Sequence, residues 1–354
     1  MRSELLANMH GSKTELTISD TFAEALLQTP ACELHTLLPG PTLFSLEGED
    51  KRPLFLTVLL HGNEDTGWDA VRAVLRFYQK RRLPRSLLLF VGNIEAAASN
   101  MRTLPHQLDY NRAWPGTLYP DRPEATLMRN VVDAVATRKP FASIDIHNNT
   151  GNNPHYGCVN RLDESYLHLA RLFSRTIVYF TDPVGVQSSA LAELCPAVTI
   201  ECGKPGVAAG AEAAADFIRA ALSLSEFPEH PVPAHDVDIL RTYAILKVPA
   251  DATFSFDGSD ADFRFREDLD HLNFSELEKG AVLGALGGDG TRRLTLETQS
   301  VVNGQNQALA YEDGEIRLFK GAIPAMLSLD PNAVRLDCLG YLMQRIDRDG
   351  RVHA

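Results

Sequence analysis

Short apolar runs that break off at a polar residue or a glycine constrain this chain more than any other feature. LFLTVLL (54–60) stops at His61, SLLLFV (86–91) at a glycine, FASIDI (141–146) at His147, and AVTI (197–200) at Glu201. Continuous apolar runs of this length, bounded by turn residues, read as strands buried on both faces. Thr176–Phe180 is a further short strand. Helical patterns lie between them. GWDAVRAVLRFYQKRR (67–82) puts Trp68, Val71, Val74, Leu75 and Tyr78 on one face, and Glu124–Thr137 does the same with Leu127, Val131, Val132 and Val135. Val207–Leu224 is an alanine-rich helix. Strands alternating with helices predict an α/β fold with a mixed, mostly parallel sheet flanked by helices.

The pattern changes at EFPEHPVPAHDVD (226–238), where three prolines and several acidic residues mark a linker. Beyond it, short β-type runs at 243–248, 253–256, 293–296, 308–311 and 315–318 are separated by glycine-containing turns such as GGDG and EDGE. At 354 residues the chain is long for one average domain. Two domains are expected: an α/β domain over 1–230 and a smaller C-terminal β domain over 231–354.

Where the strands end, ligand-type residues collect. Open α/β sheets gather ligands at the carboxyl ends of their strands. A catalytic zinc takes three protein ligands and leaves the fourth position open. His61 and Glu64, in HGNE, supply two donors from one turn. Alone they would read as a polar turn capping a helix. His147, in SIDIHNNTGNNP, stands in the matching position after another strand and turns the balance toward a metal site. Glu201, in CPAVTIECGKPG, follows a third strand. A carboxylate there is costly unless it is solvated, paired or used, and beside a zinc site it is placed to act as general base.

The irregular stretch 92–123 is long enough to be functional. Its LDYNRAWPG segment offers Asn111 and Arg112, an amide and a guanidinium that together can hold a carboxylate through charge-assisted bonds. Arg102 is a second guanidinium able to stabilise an oxyanion. His106 and Asp109 are read as shaping this loop. His155 lines the pocket at most, since as a fourth ligand it would close the open position. His271 is read as a surface or interdomain residue, and Cys202 as a small buried apolar one.

Composition narrows the partners. A net charge of −12 without a basic stripe argues against nucleic acid and anionic membrane. No apolar run approaches the ~18–20 residues of a membrane span, and MRSELLANMHGSKTEL has no secretory h-region. Five cysteines without CxxC pairing suit a reducing compartment, so a cytoplasmic location is expected. No strand–GxGxxG–helix unit supports a nucleotide binder. Oligomeric state is not legible.

HGNE (61–64), DYNRAWPG (109–116), DIHNNTG (145–151) and PAVTIECG (196–203), in this order, resemble the succinylglutamate desuccinylase/aspartoacylase family of the zinc-carboxypeptidase clan. GVQSSALAELCPAVTIECG (185–203) resembles that family's run into its catalytic glutamate. FREDLDHLNFSELEKGAVLG (265–284) resembles its C-terminal β domain. The resemblance, over roughly 50–325, implies a zinc-carboxypeptidase-like fold and one Zn2+ per chain held by His61, Glu64 and His147. It also implies Glu201 as base, Asn111 and Arg112 on the carboxylate of a small substrate, and Arg102 polarising the scissile carbonyl. The expected reaction is cleavage of an amide in an N-acyl amino acid. A metallocarboxypeptidase acting on short peptides is the rival enzyme, and an inactive metal-binding protein the rival from outside catalysis.

Overall fold

The structure, a computed structural model, describes residues 15–298 and 308–352. The N-terminal segment read as lacking a secretory leader lies almost wholly outside these residues. The chain forms two compact units, one of residues 1–147, 183–199 and 211–227, the other of 148–182, 200–210 and 228–354.

In the first unit the strands are β1 (Thr17–Ser19), β2 (Thr42–Leu46) and β3 (Gly48–Val58). Helix α1 (Thr66–Tyr78) follows, then β4 (Leu83–Val91), α2 (Ile94–Ala98), α3 (Pro123–Ala136) and β5 (Ala142–His147). They run β1-β2-β4-β3-β5 across the sheet, with only the β2–β4 pair antiparallel. β3 is central, pairing Leu54 with Leu87 on one side and Ala142 on the other. Leu54, Phe55, Leu56, Val58 and Thr57 are all fully buried, as a strand covered on both faces requires.

Helix α1 buries Trp68, Val71, Val74 and Leu75 of the apolar stripe read from the sequence, with Ala70 beside them, while Tyr78 at its end is half-buried. It ends at Tyr78 and leaves QKRR outside, because the chain must reverse into β4 at Leu83. β4 starts three residues before the apolar run because Arg85 is accommodated inside. Its guanidinium is 1% exposed, lies 2.8 Å from the Asp50 carboxylate and sits 3.8 Å over the Phe141 ring. A buried arginine is tolerated when paired and stacked in this way. Helix α3 opens on Pro123, whose missing N–H is an orphan at that position anyway. The stretch 92–123, expected to be irregular throughout, contains α2, whose Asn93 accepts from Ala96 N–H, and a 3-10 turn at Tyr110–Arg112.

Later in the chain come β6 (Tyr156–Val159), α4 (Glu164–Arg171), β7 (Thr176–Tyr179), α5 (Gln187–Leu191), β8 (Ala197–Glu201), α6 (Ala208–Ser223) and β9 (Asp238–Lys247). Ser143 N–H donates to Pro196 O at 2.9 Å, setting the start of β8 beside β5 within the first unit. In the second unit β6, β7 and β9 are parallel. A five-stranded sheet is built from β10 (Phe254–Ser255), β11 (Phe263–Phe265), β12 (Val282–Leu286), β14 (Leu309–Glu312) and β15 (Glu315–Leu318). It matches the smaller β element expected from the sequence. β13 (Thr295–Thr298) pairs with β9, and so does β17 (Gly340–Arg345), which carries β16 (Ile323–Ala325) on its other side. β12, β16 and β17 have no strong alternating signal. Gly284 in β12 is required because a Cβ there would come within 2.5 Å of Arg264 O on the paired strand. Phe263, Phe265, Leu283, Ile316 and Leu318 close this sheet's core. No helix among the described residues is long and apolar enough to cross a membrane.

Candidate metal centre

His61 and Glu64 follow β3 by way of a forced bend. Leu59 is fully buried yet has φ +56°, a conformation costly for a branched side chain. Backbone bonds hold it there: Asn93 N–H donates to Leu59 O at 2.6 Å, and Gly92 N–H to Val58 O at 3.0 Å. Gly62 then passes against the backbone of α2, where a Cβ would lie 2.2 Å from Ala97 N, so only glycine fits. Its N–H donates to Arg102 O at 3.1 Å. His147 is the last residue of β5, so the parallel pairing of β3 and β5 brings the two imidazoles together.

Their rings lie 4.9 Å apart, and the cluster is nearly dry, with His61 at 3%, Glu64 at 6% and His147 at 3% exposure. Both imidazoles turn Nδ1 toward one carboxylate: His61 Nδ1 lies 2.7 Å from Glu64 Oε1, and His147 Nδ1 2.8 Å from Oε2. Each Nε2 faces an aspartate, Asp109 at 3.0 Å from His61 and Asp145 at 2.8 Å from His147. The Thr57 hydroxyl donates to Asp145. A carboxylate on the far nitrogen fixes the orientation and basicity of a metal-binding histidine.

Burial alone would raise the Glu64 pKa, but the His61 and His147 imidazoles outweigh it and hold the carboxyl well below its ordinary range. Burial alone would lower His147, yet the Asp145 and Glu64 carboxylates carry it well above the usual imidazole value. Asp109 is likewise held low against burial by His61, Arg102 and Arg112.

The donor set fits zinc. Among the described residues, His61, Glu64 and His147 form the cluster of three ligand-type side chains, with one donor atom from each within 4.8 Å of the others. Donors on a tetrahedral zinc ion at ~2.0–2.2 Å lie roughly 3.3–3.6 Å apart, so binding an ion would draw the set inward by up to roughly 1.5 Å. Two nitrogens and one carboxylate leave a coordination position open, the pattern of catalytic sites.

The loop residues reach the same neighbourhood. Arg102 grips Asp109 Oδ2 through Nε at 3.1 Å and Nη2 at 3.0 Å, and its Nη1 lies 3.6 Å from Glu64. Asp109 also accepts from Asn111 N–H at 2.7 Å, so it shapes the loop and holds His61 at once. Asn111 is buried. Its Oδ1 accepts from Gln187 N–H at 3.0 Å, and its Nδ2 lies 3.2 Å from His147 Nε2. Arg112 is half-buried, donates to Asn111 O at 2.8 Å and forms no ion pair among the described residues.

Glu201 ends β8 in the second unit, half-buried, and accepts from Asn149 Nδ2 at 3.3 Å. Cys202 is buried as expected. His155 stacks on Phe173 at 5.8 Å, its Nε2 3.7 Å from where a Gly203 Cβ would sit. The His271 side chain is 70% exposed, a surface residue. Sequence reasoning missed Asp145 and the His61 contact of Asp109. Asp145 carried a signal, since residues two apart on a strand share a face, which makes Asp-x-His at a strand end a ready-made carboxylate–imidazole pair.

The mostly parallel α/β sheet thus gathers a buried His–Glu–His set, a candidate metal centre, beyond the ends of two adjacent strands. The model of the succinylglutamate desuccinylase/aspartoacylase catalytic domain matches residues 50–227, and the chain belongs to that family of deacylase-type hydrolases. Among solved structures it is similar to the succinylglutamate desuccinylase of Chromobacterium violaceum, at TM-score 0.57 and 17% identity over 88% of this chain and 90% of that one. It is also similar to a succinylglutamate desuccinylase/aspartoacylase from Rhodobacter sphaeroides (TM-score 0.55, 13% identity, 85% and 88% covered). Murine aminoacylase 3 is a third (TM-score 0.53, 18% identity, 85% and 97% covered). At these identities the likenesses speak for the fold. No curated protein matches the chain.

Proposed function

We propose that this protein is a zinc-dependent amidohydrolase that removes the acyl group from a small N-acyl amino acid bearing a free carboxylate. The observation that carries the reading is the pair of Nδ1 atoms converging on Glu64 with an aspartate behind each ring. His61, Glu64 and His147 would hold the ion. When bound, zinc supplies a Lewis acid and brings the pKa of its water to roughly 7.

The chain's own groups do the rest. Glu201 takes the proton of the attacking water and returns it to the departing amine nitrogen. Arg112, which forms no close ion pair among the described residues, grips the substrate carboxylate with Asn111 beside it. Arg102 stabilises the oxygen that becomes negative as the carbonyl is attacked. Asp109 and Asp145 keep the imidazoles aimed. The setting is cytoplasmic, in keeping with five cysteines that form no disulfide.

Incubating zinc-loaded protein with N-succinyl- and N-acetyl-amino acids, and separately with short peptides, tests the reaction. Amine release from the acyl amino acids is expected; release from the peptides alone overturns the reading. Arg112→Ala should raise KM for carboxylate substrates by roughly 10- to 100-fold, the scale of a lost charge-assisted contact. Amidated analogues should be much less affected, and equal losses on both would remove the clamp.

A further inference from the structure

Beyond the groups that would touch substrate, the second unit contains a line of side-chain amides that ends on Glu201. Met326 N–H donates to Asn153 Oδ1 at 2.9 Å, Asn153 Nδ2 donates to Asn149 Oδ1 at 2.9 Å, and Asn149 Nδ2 donates to Glu201 Oε2 at 3.3 Å. All four residues belong to the same compact unit. An amide can be turned end for end, so the direction of a hydrogen bond between two asparagines is usually open. Here it is not open. The first donor is a backbone N–H, which can only donate. Asn153 must therefore present oxygen to Met326 and nitrogen to Asn149. Asn149 must in turn present oxygen to Asn153 and nitrogen to Glu201.

The backbone donor is itself held. Met326 has φ +59°, and the adjoining Leu327 is clamped on both sides by Asn273, which accepts from its N–H at 2.9 Å and donates to its carbonyl at 2.8 Å. Gly151 makes the close approach possible, since a Cβ there would lie 2.4 Å from Leu327 O and 2.8 Å from Asn153 Nδ2. Asn149 is tied down independently by its N–H to Gly203 O at 3.1 Å, on the loop just after Glu201. It is 4% exposed, so water competes poorly for its amide. Tyr156, buried nearby, donates its hydroxyl to Met326 Sδ at 3.3 Å.

We propose that Asn149 is a positioning residue for Glu201, and that Asn153 and the Met326 backbone set the polarity with which it acts. A donated N–H favours the ionised carboxylate, the form a general base needs, and restricts its rotation. The inference rests on the reading of Glu201 as base.

The discriminating variant leaves both Asn149 and Glu201 in place. In Asn153→Asp the new carboxylate still accepts from Met326 N–H but has no N–H to give. Asn149 then turns its nitrogen to that carboxylate and its oxygen toward Glu201. On whichever N-succinyl- or N-acetyl-amino acid the wild type hydrolyses, kcat should fall roughly 10- to 100-fold, the worth of one hydrogen bond to a charged group. KM, zinc content and melting midpoint should stay close to wild type, the signature of an interaction realised in the transition state. Asn149→Leu should match it, and the double variant should lose no more than Asn149→Leu. Wild-type kcat in Asn153→Asp, or parallel losses of kcat, zinc and thermal stability, overturns the proposal.

Glu201→Gln measured alongside separates the two failures, since wild-type turnover in that variant removes the base itself. A readout without substrate comes from the Asn149 side-chain amide resonances, assigned by their loss in Asn149→Leu. They should shift in both Asn153→Asp and Glu201→Gln; if they are unmoved in Glu201→Gln, the hydrogen bond is absent and the proposal falls.

Discussion

Glu201→Gln is expected to lower kcat by roughly 10²- to 10⁴-fold, the range for loss of a positioned general base. The substitution is nearly isosteric. It removes the oxygen that can accept the water's proton and carry it to the leaving amine, and leaves a carboxamide that can do neither. Zinc content should not change, because the candidate ligand cluster is His61, Glu64 and His147, and Glu201 is not part of it. The melting midpoint should also hold, since Glu201 is half-buried at a strand end rather than packed in a core. Metal analysis and steady-state kinetics on the same preparation, with a thermal melt beside them, check all three. Turnover near wild type in a fully zinc-loaded sample would give the base to another group.

Removing the metal should abolish turnover, and its return should depend on pH in a direction set by His147. In the metal-free protein that imidazole is held protonated against burial by Asp145 and Glu64, its pKa well above the ordinary value near 6.5. To hold a metal ion through a ring nitrogen, His147 would have to give up the proton there. At about pH 6, below the pKa of roughly 7 of a zinc-bound water, each zinc bound should release about one proton, and apparent affinity should climb about tenfold per pH unit until the folded pKa is passed. The same raised pKa stabilises the metal-free fold below the unfolded value and is lost as pH rises through the folded one. Titration calorimetry in buffers of different ionisation enthalpy counts the protons. His147→Ala should bind zinc far more weakly and show no such release, and an unchanged proton count in that variant would place the released proton elsewhere.

The strands that position the site were legible because each is a continuous apolar run buried on both faces, a pattern few other structures impose. β3 and β5, with His61 and His147 at or just past their ends, follow from LFLTVLL and FASIDI directly. β4 was read three residues short because Arg85 interrupts its pattern, and nothing local reveals that Asp50 and Phe141 wait to receive the guanidinium. β16 and β17 were missed because their burial comes from each other and from β9, far earlier in the chain. Asp109 was read only as a loop-shaping residue. Its hold on His61 spans 48 positions, and local spacing does not register it.

Residue types and their order along the polymer were enough to single out two imidazoles, two carboxylates and two guanidiniums as candidates, because the chemistry open to a ligand or a base is carried by the side chain itself. Direction was not. Which ring nitrogen each histidine turns toward Glu64, which aspartate stands behind it, and which end of Asn149 faces Glu201 emerge only after distant segments pack. Hydrogen bonds are short and directional, and their partners here are brought together by sheet pairing and glycine-permitted backbone approach rather than by nearness in the chain.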